Sequence, residues 1–96
     1  MIEKVKDEVI NILEEMIEGK KDIIKGCSEL SGYLMEGYDF IYWDFDEYNH
    51  QLQKFPITEQ YHLWEESALE QKLKELESRY KQKVIDLAKE LLAELN

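Results

Sequence analysis

One cysteine, one proline and four glycines in ninety-six residues leave little material for a cross-linked or loop-rich architecture. With Cys27 alone, no disulfide within the chain and no multi-cysteine zinc site can form, which fits a reducing compartment. In "DIIKGCSEL" its neighbours are apolar or small at helical spacing, the setting of a small buried hydrophobe rather than a nucleophile. No apolar run approaches the length needed to span a bilayer. "MIEKVKDEVI" carries charge from its third position, so neither a secretory signal nor an organelle presequence is read there. A cytoplasmic protein is expected.

Also missing are sustained alternation of apolar and polar residues and any Asn-Gly or Asp-Gly hairpin turn, so no strand is predicted. There is no glycine-rich phosphate loop and no serine or cysteine nucleophile with a placed base. The acids of "DFDE" could bind magnesium, but such sites generally hold a phosphate substrate as well. What remains is a chain 44% hydrophobic and 11% aromatic, too apolar for disorder despite its charge. Its length suits one domain, residues 1–96, with a modest core.

Base is the other scarcity, and it is local. The net charge of −10 lies almost wholly in residues 28–70, where ten acids face a single base, Lys54. The flanking segments nearly balance. A block of one sign repels itself and is weak evidence for a basic partner. It argues against direct nucleic-acid binding, which needs cations to displace counterions from phosphates, and against an anionic membrane surface.

Apolar residues at Ile2, Val5, Val9, Ile12, Leu13, Met16 and Ile17 recur at three and four and predict an amphipathic helix that ends at Gly19. A second helix from about Asp22 uses Ile23, Ile24, Cys27, Leu30, Tyr33 and Leu34 and closes at Gly37; one bent helix over 2–36 is the alternative. Gly26 and Gly32 inside it imply close approach of another helix, since each costs a helix interior about 1 kcal/mol relative to alanine. Asp39 is read as the N-cap of a third helix reaching roughly Phe55 before Pro56, and Thr58 as the cap of a fourth. The stripe Leu69, Leu73, Leu76, Tyr80, Val84, Leu87, Leu91, Leu95 repeats over eleven residues and stays on one face of a nearly straight helix. From 58 to 95 that helix would be about 57 Å long, so it either breaks near Glu66 or projects onto a second copy. The fold expected is all-α, a three- or four-helix bundle with a long C-terminal helix.

"YDFIYWDFDEYNH" holds the candidate site. On a helix over 39–55, Tyr38, Ile41, Phe45, Tyr48, Leu52 and Phe55 form one apolar face. Trp43 falls almost opposite, among Asp39, Asp46, Glu47 and His50, with Tyr42 at the border. A tryptophan the core does not require is a candidate anchor, and acids around it would steer a basic partner. The alternative is a helix sandwiched in the bundle with Trp43 covered. In size, charge and helical character the chain is similar to bacterial nuclease-immunity proteins, and "DFIYW" has a loose likeness to an acidic, double-aromatic recognition segment. The likeness is one of type and assigns no residue roles.

The expectation is therefore a non-enzymatic protein that binds, and inhibits, a basic protein such as a nuclease or nucleic-acid-binding protein; immunity protein, antitoxin and phage-encoded inhibitor all fit. The partner-binding residues would be Asp39, Tyr42, Trp43, Asp46, Glu47 and His50, with no cofactor and no metal. Two alternatives stand beside it. One is a homodimer through the C-terminal stripe, which Val84→Asp or Leu87→Asp would split. The other is a metal-binding bundle built on the pairs Glu47/His50 and Glu59/His62, which match the Glu-x-x-His spacing of di-iron bundles. His62 itself is expected as a hydrogen-bonded residue at the core edge, and Trp64 as core.

Overall fold

The computed structural model describes residues 2–96. Five α-helices follow one another: α1 (Ile2–Ile17), α2 (Ile23–Met35), α3 (Asp44–Leu52), α4 (Glu66–Leu76) and α5 (Gln82–Leu95). A short 3-10 helix (Thr58–Leu63) precedes α4, and a π-helical turn (Glu77–Lys81) joins α4 to α5 as one long C-terminal helix. No strand occurs among the described residues. The fold is all-α, as the apolar periodicity implies.

Glycine ends the first two helices by the same device. At Gly19 (φ +80°) and Gly37 (φ +100°) the backbone turns left-handed, which only glycine does without strain. The next amide then reaches back into the last turn: Lys20 N–H donates to Glu15 at 2.8 Å, and Tyr38 N–H to Tyr33 at 3.2 Å. These are Schellman caps, and they exclude a single bent helix over 2–36. Inside α2 the two glycines differ. A Cβ on Gly26 would come within 2.2 Å of Met16 Sδ, while one on Gly32 meets nothing within 4 Å. The close approach inferred from both is real at Gly26 alone.

Contacts fix the helix directions. Tyr33 hydrogen-bonds Glu8 while Gly26 meets Met16, so α1 and α2 are antiparallel. Ser31 donates to Asp46 towards one end, and Thr58, beyond the end of α3, donates to Asp22 at the start of α2, which sets α3 antiparallel to α2. Tyr42 reaches Glu94 at one end, and Phe55 lies 5.6 Å from Tyr80 at the other, which returns α5 alongside α3. The four helices α1, α2, α3 and α5 run up and down in sequence around one cluster, with Val9, Leu13, Cys27, Leu30, Phe45, Leu52, Val84 and Leu91 fully buried in it. Each such large side chain contributes about 1.5–3 kcal/mol by leaving water. Burial pushes the Cys27 thiol up to about 12, so it is an inert packing residue.

Two helix boundaries differ from expectation. α3 starts at Asp44, not Asp39, because residues 38–43 do what a helix cannot: Tyr38, Phe40, Ile41 and Tyr42 all pack on the core, although three consecutive residues of a helix fan across about 200°. The stretch from Thr58 is a 3-10 helix, and it breaks from α4 at Trp64 and Glu65, both in extended conformation, which is the break near Glu66 that the length of a 58–95 helix offered as one outcome. The Glu65 carboxylate caps α4 by accepting from Ser67 and Ala68 N–H at 3.1 and 3.0 Å. Thr58 caps nothing; its N–H and hydroxyl both donate to Asp22, pinning the 3-10 helix to the start of α2. The remaining C-terminal helix of about 45 Å equals the longest extent of the molecule, 45 × 22 × 20 Å. Only its second half enters the core. α5 buries Val84, Ala88 and Leu91, so the centre of its buried face passes through Ala88 with Leu87 at the side, and α4 buries nothing fully. Val84→Asp would therefore unfold the chain rather than split a dimer.

Candidate interaction site

The site forms at the end of the bundle where α2 stops, α3 begins and α5 finishes. The Gly37 cap delivers Tyr38 back onto Tyr33, ring centroids 6.0 Å apart and edge to face, and Phe40 packs on Tyr38 at 6.4 Å. With Ile41 buried behind them, the segment is held from beneath. Trp43 follows as the residue that opens α3. Its carbonyl accepts from the amides of Asp46 and Glu47 at 3.0 and 3.2 Å, so its backbone is fixed while its indole is 56% exposed. Trp43 is not covered by another helix.

The other expected residues divide. Tyr42 is turned inward: it stacks on Phe45 at 6.4 Å with ring planes 7° apart. Loss of hydration and the neighbouring Glu94 carboxylate push its phenol up to about 12. Asp46 is tied down as well, accepting from Ser31 at 2.5 Å and lying 3.8 Å from His50 Nδ1. His50 is exposed, its ring nitrogen 2.8 Å from the Asp46 carbonyl. Asp39 and Glu47 are exposed, and no lysine or arginine among the described residues lies within ion-pair distance of them. The structure thus brings Trp43, Asp39 and Glu47 to the surface and gives Tyr42 and Asp46 internal work.

Four contributors were not foreseen. Asp44 sits in the first turn of α3 with Asp46 and Glu47, where the helix N-terminus favours negative charge, so these acids have a local as well as an outward role. Met35, at the end of α2, is 64% exposed. Glu90 and Glu94 of α5 add their charge beside Tyr42. Residues fifty positions apart carry no sequence signal of adjacency; only the antiparallel return of α5 brings them together. On the far flank, Asp44 and Glu47 share a cleft of about 180 Å³ with Arg79 and Lys83, which limits the acidic surface on that side.

The two Glu-x-x-His pairs do not assemble. Glu59 is held by Lys25 at 2.6 Å, and the Lys25 ammonium keeps its carboxyl below the usual range. His62 is exposed, not lodged at the core edge, and Trp64 is only half-buried. No group of three or more potential metal ligands occurs among the described residues, and none of the described helices is long and apolar enough to cross a membrane. Comparison of the chain with protein-family models, with curated proteins and with solved structures finds no match in any of the three.

Proposed function

We propose that this protein is a non-enzymatic binding protein that takes a basic protein partner on its acidic end and inhibits it, the partner being a nuclease or another nucleic-acid-binding protein. The observation that carries the reading is Trp43: a large aromatic on a fixed backbone, 56% exposed, on a stretch whose Asp39, Asp44 and Glu47 form no ion pair among the described residues, with Arg79 and Lys83 only on the far flank. A rigid aromatic of this kind buries a large area at small entropic cost. A lysine or arginine over the indole face adds a cation–π attraction of about 0.5–2 kcal/mol. Asp39, Asp44 and Glu47 steer the approach and pair with the cations that would otherwise hold phosphates. Inhibition is then competitive occlusion of a nucleic-acid surface. The single buried thiol suits a reducing, cytoplasmic setting for this encounter.

The test uses Trp43→Ala with Asp39→Lys, which leaves the Asp46 to Ser31 tie intact. Wild type immobilised in moderate salt is expected to retain a basic protein from lysate of the source cell or its host. The double variant, still helical by circular dichroism, is expected to lose it. The retained protein, once purified, should be inhibited in nucleic-acid cleavage or binding by wild type alone. Identical captures by the two proteins would remove the acidic end from consideration.

A further inference from the structure

Each of α1, α2, α3 and α5 places at least two side chains wholly inside the core; α4 places none. Its Leu69 and Leu73 are half-covered and stand outside the buried cluster. An open cavity of about 450 Å³ separates Leu73, Leu76 and Ile85 from Ile17, Ile24 and Tyr61 at the α1–α2 corner. Leu63, two residues beyond Tyr61, is 73% exposed. A helix of eleven residues is marginal in water without a packed face, and apolar side chains left open along one helix face and an adjoining cavity mark an interface.

Charge decides what covers it. Residues 53–83, which supply the 3-10 helix, α4 and the π turn, contain six acids and six bases. The rest of the chain therefore carries the whole of the −10. Two copies of such a chain repel wherever their acidic surfaces meet, and this neutral, mixed-sign segment is the stretch where they approach without that penalty. A strongly basic partner gains nothing there.

We propose that a second copy of this chain covers α4, in a two-fold dimer centred on Leu69 and Leu73, one turn apart on α4 with Leu73 in the cavity wall, and taking in the exposed Leu63 of the preceding 3-10 helix. Val84, Ala88 and Leu91 stay in each copy's own core. The acidic end of each copy, remote from this interface, remains free, so one dimer presents two Trp43 sites. The proposal stands independently of what those sites bind.

Sedimentation equilibrium of the full chain tests it. Wild type is expected at twice its 11.5 kDa, with association that tightens as salt screens the net charge. Leu69→Glu with Leu73→Glu should raise the dissociation constant about a hundredfold, roughly tenfold for each leucine, with helicity by circular dichroism retained. Leu63→Glu, at a position the core does not use, is the second variant and should weaken the dimer about tenfold. Trp43→Ala should dimerise as wild type does. A wild type of monomer mass at its solubility limit overturns the proposal, as does a dimer indifferent to all three leucines or one lost with Trp43.

Discussion

The two ends of the bundle hold acids of the same sequence block and use them oppositely. At the α1–α2 corner they are engaged: Glu29 pairs with Lys21 and Glu59 with Lys25, both at 2.6 Å, and Glu65 caps α4. Lys54, the lone base of residues 28–70, is engaged there too, 5.3 Å over the Phe55 ring and 3.8 Å from Glu75. At the end where α3 begins, Glu36, Asp39, Asp44 and Glu47 have no ion-pair partner among the described residues. Of the ten acids between 28 and 70, Asp46 and Glu70 also find partners. That leaves these four and Glu66 without an ion pair among the described residues, and the four lie within twelve residues of sequence that include Trp43. A block of charge is thus not a surface. The fold engages half of it and concentrates the remainder beside the one aromatic it leaves exposed.

The comparison breaks most sharply at neighbouring aromatics. Phe45→Ala, at a fully buried position, should cost about 3–5 kcal/mol, a large share of a small domain's stability. Trp43→Ala, two residues earlier, should change stability by less than about 0.5 kcal/mol while abolishing partner capture. Urea unfolding of the two variants reads this directly. Equal losses would mean that Trp43 is a core residue and that the acidic end has no spare anchor.

Glycines of α2 give a second, smaller contrast along the same axis. Gly26→Ala forces a Cβ against buried Met16 and should destabilise by about 1–3 kcal/mol. Gly32→Ala, with open space around it, should stabilise by about 0.5–1 kcal/mol. Opposite shifts in the urea midpoint are the expected result; shifts of one sign would refute the tight α1–α2 crossing.

The smallest effects are in pH, and the two ends respond on opposite limbs. Hydrogen bonds from Lys25 and Ser67 hold the Glu59 and Glu65 carboxyls below their ordinary 4.5. The stability they confer is present above that value and lost as pH falls through the lowered pKa. In the Trp43→Ala background, Trp64 fluorescence should report this acid loosening of the 3-10 segment. Tyr42, raised from 10 to about 12, has its stability fully present below pH 10 and loses it as pH climbs toward 12. Tyr42→Phe should lessen that alkaline loss, with Tyr33 and Cys27, raised likewise, keeping their share, and leave the acid limb untouched.

Periodicity and glycine placement determined that the chain is helical, that α2 stops at Gly37 and that the long stripe belongs to a C-terminal helix, because side chains three and four apart must share a face and glycine alone turns left-handed cheaply. Periodicity also separated Trp43 from Phe45, since helical phase survives even though α3 is shorter than read. Tertiary structure decided the rest. The break between α1 and α2 at Gly19 was decided by the fold against one bent helix over 2–36. Residues 38–43 leave the helix because burying Tyr38, Phe40 and Ile41 together is worth more than a turn of hydrogen bonds. Asp46 is occupied because Ser31 faces it across α2. The acidic end gains Glu90 and Glu94 because α5 returns antiparallel, and α4 buries no side chain fully because only Leu76 of it packs on the core cluster. Pattern fixes what a segment is; which of its charges remain free depends on what the fold brings opposite them.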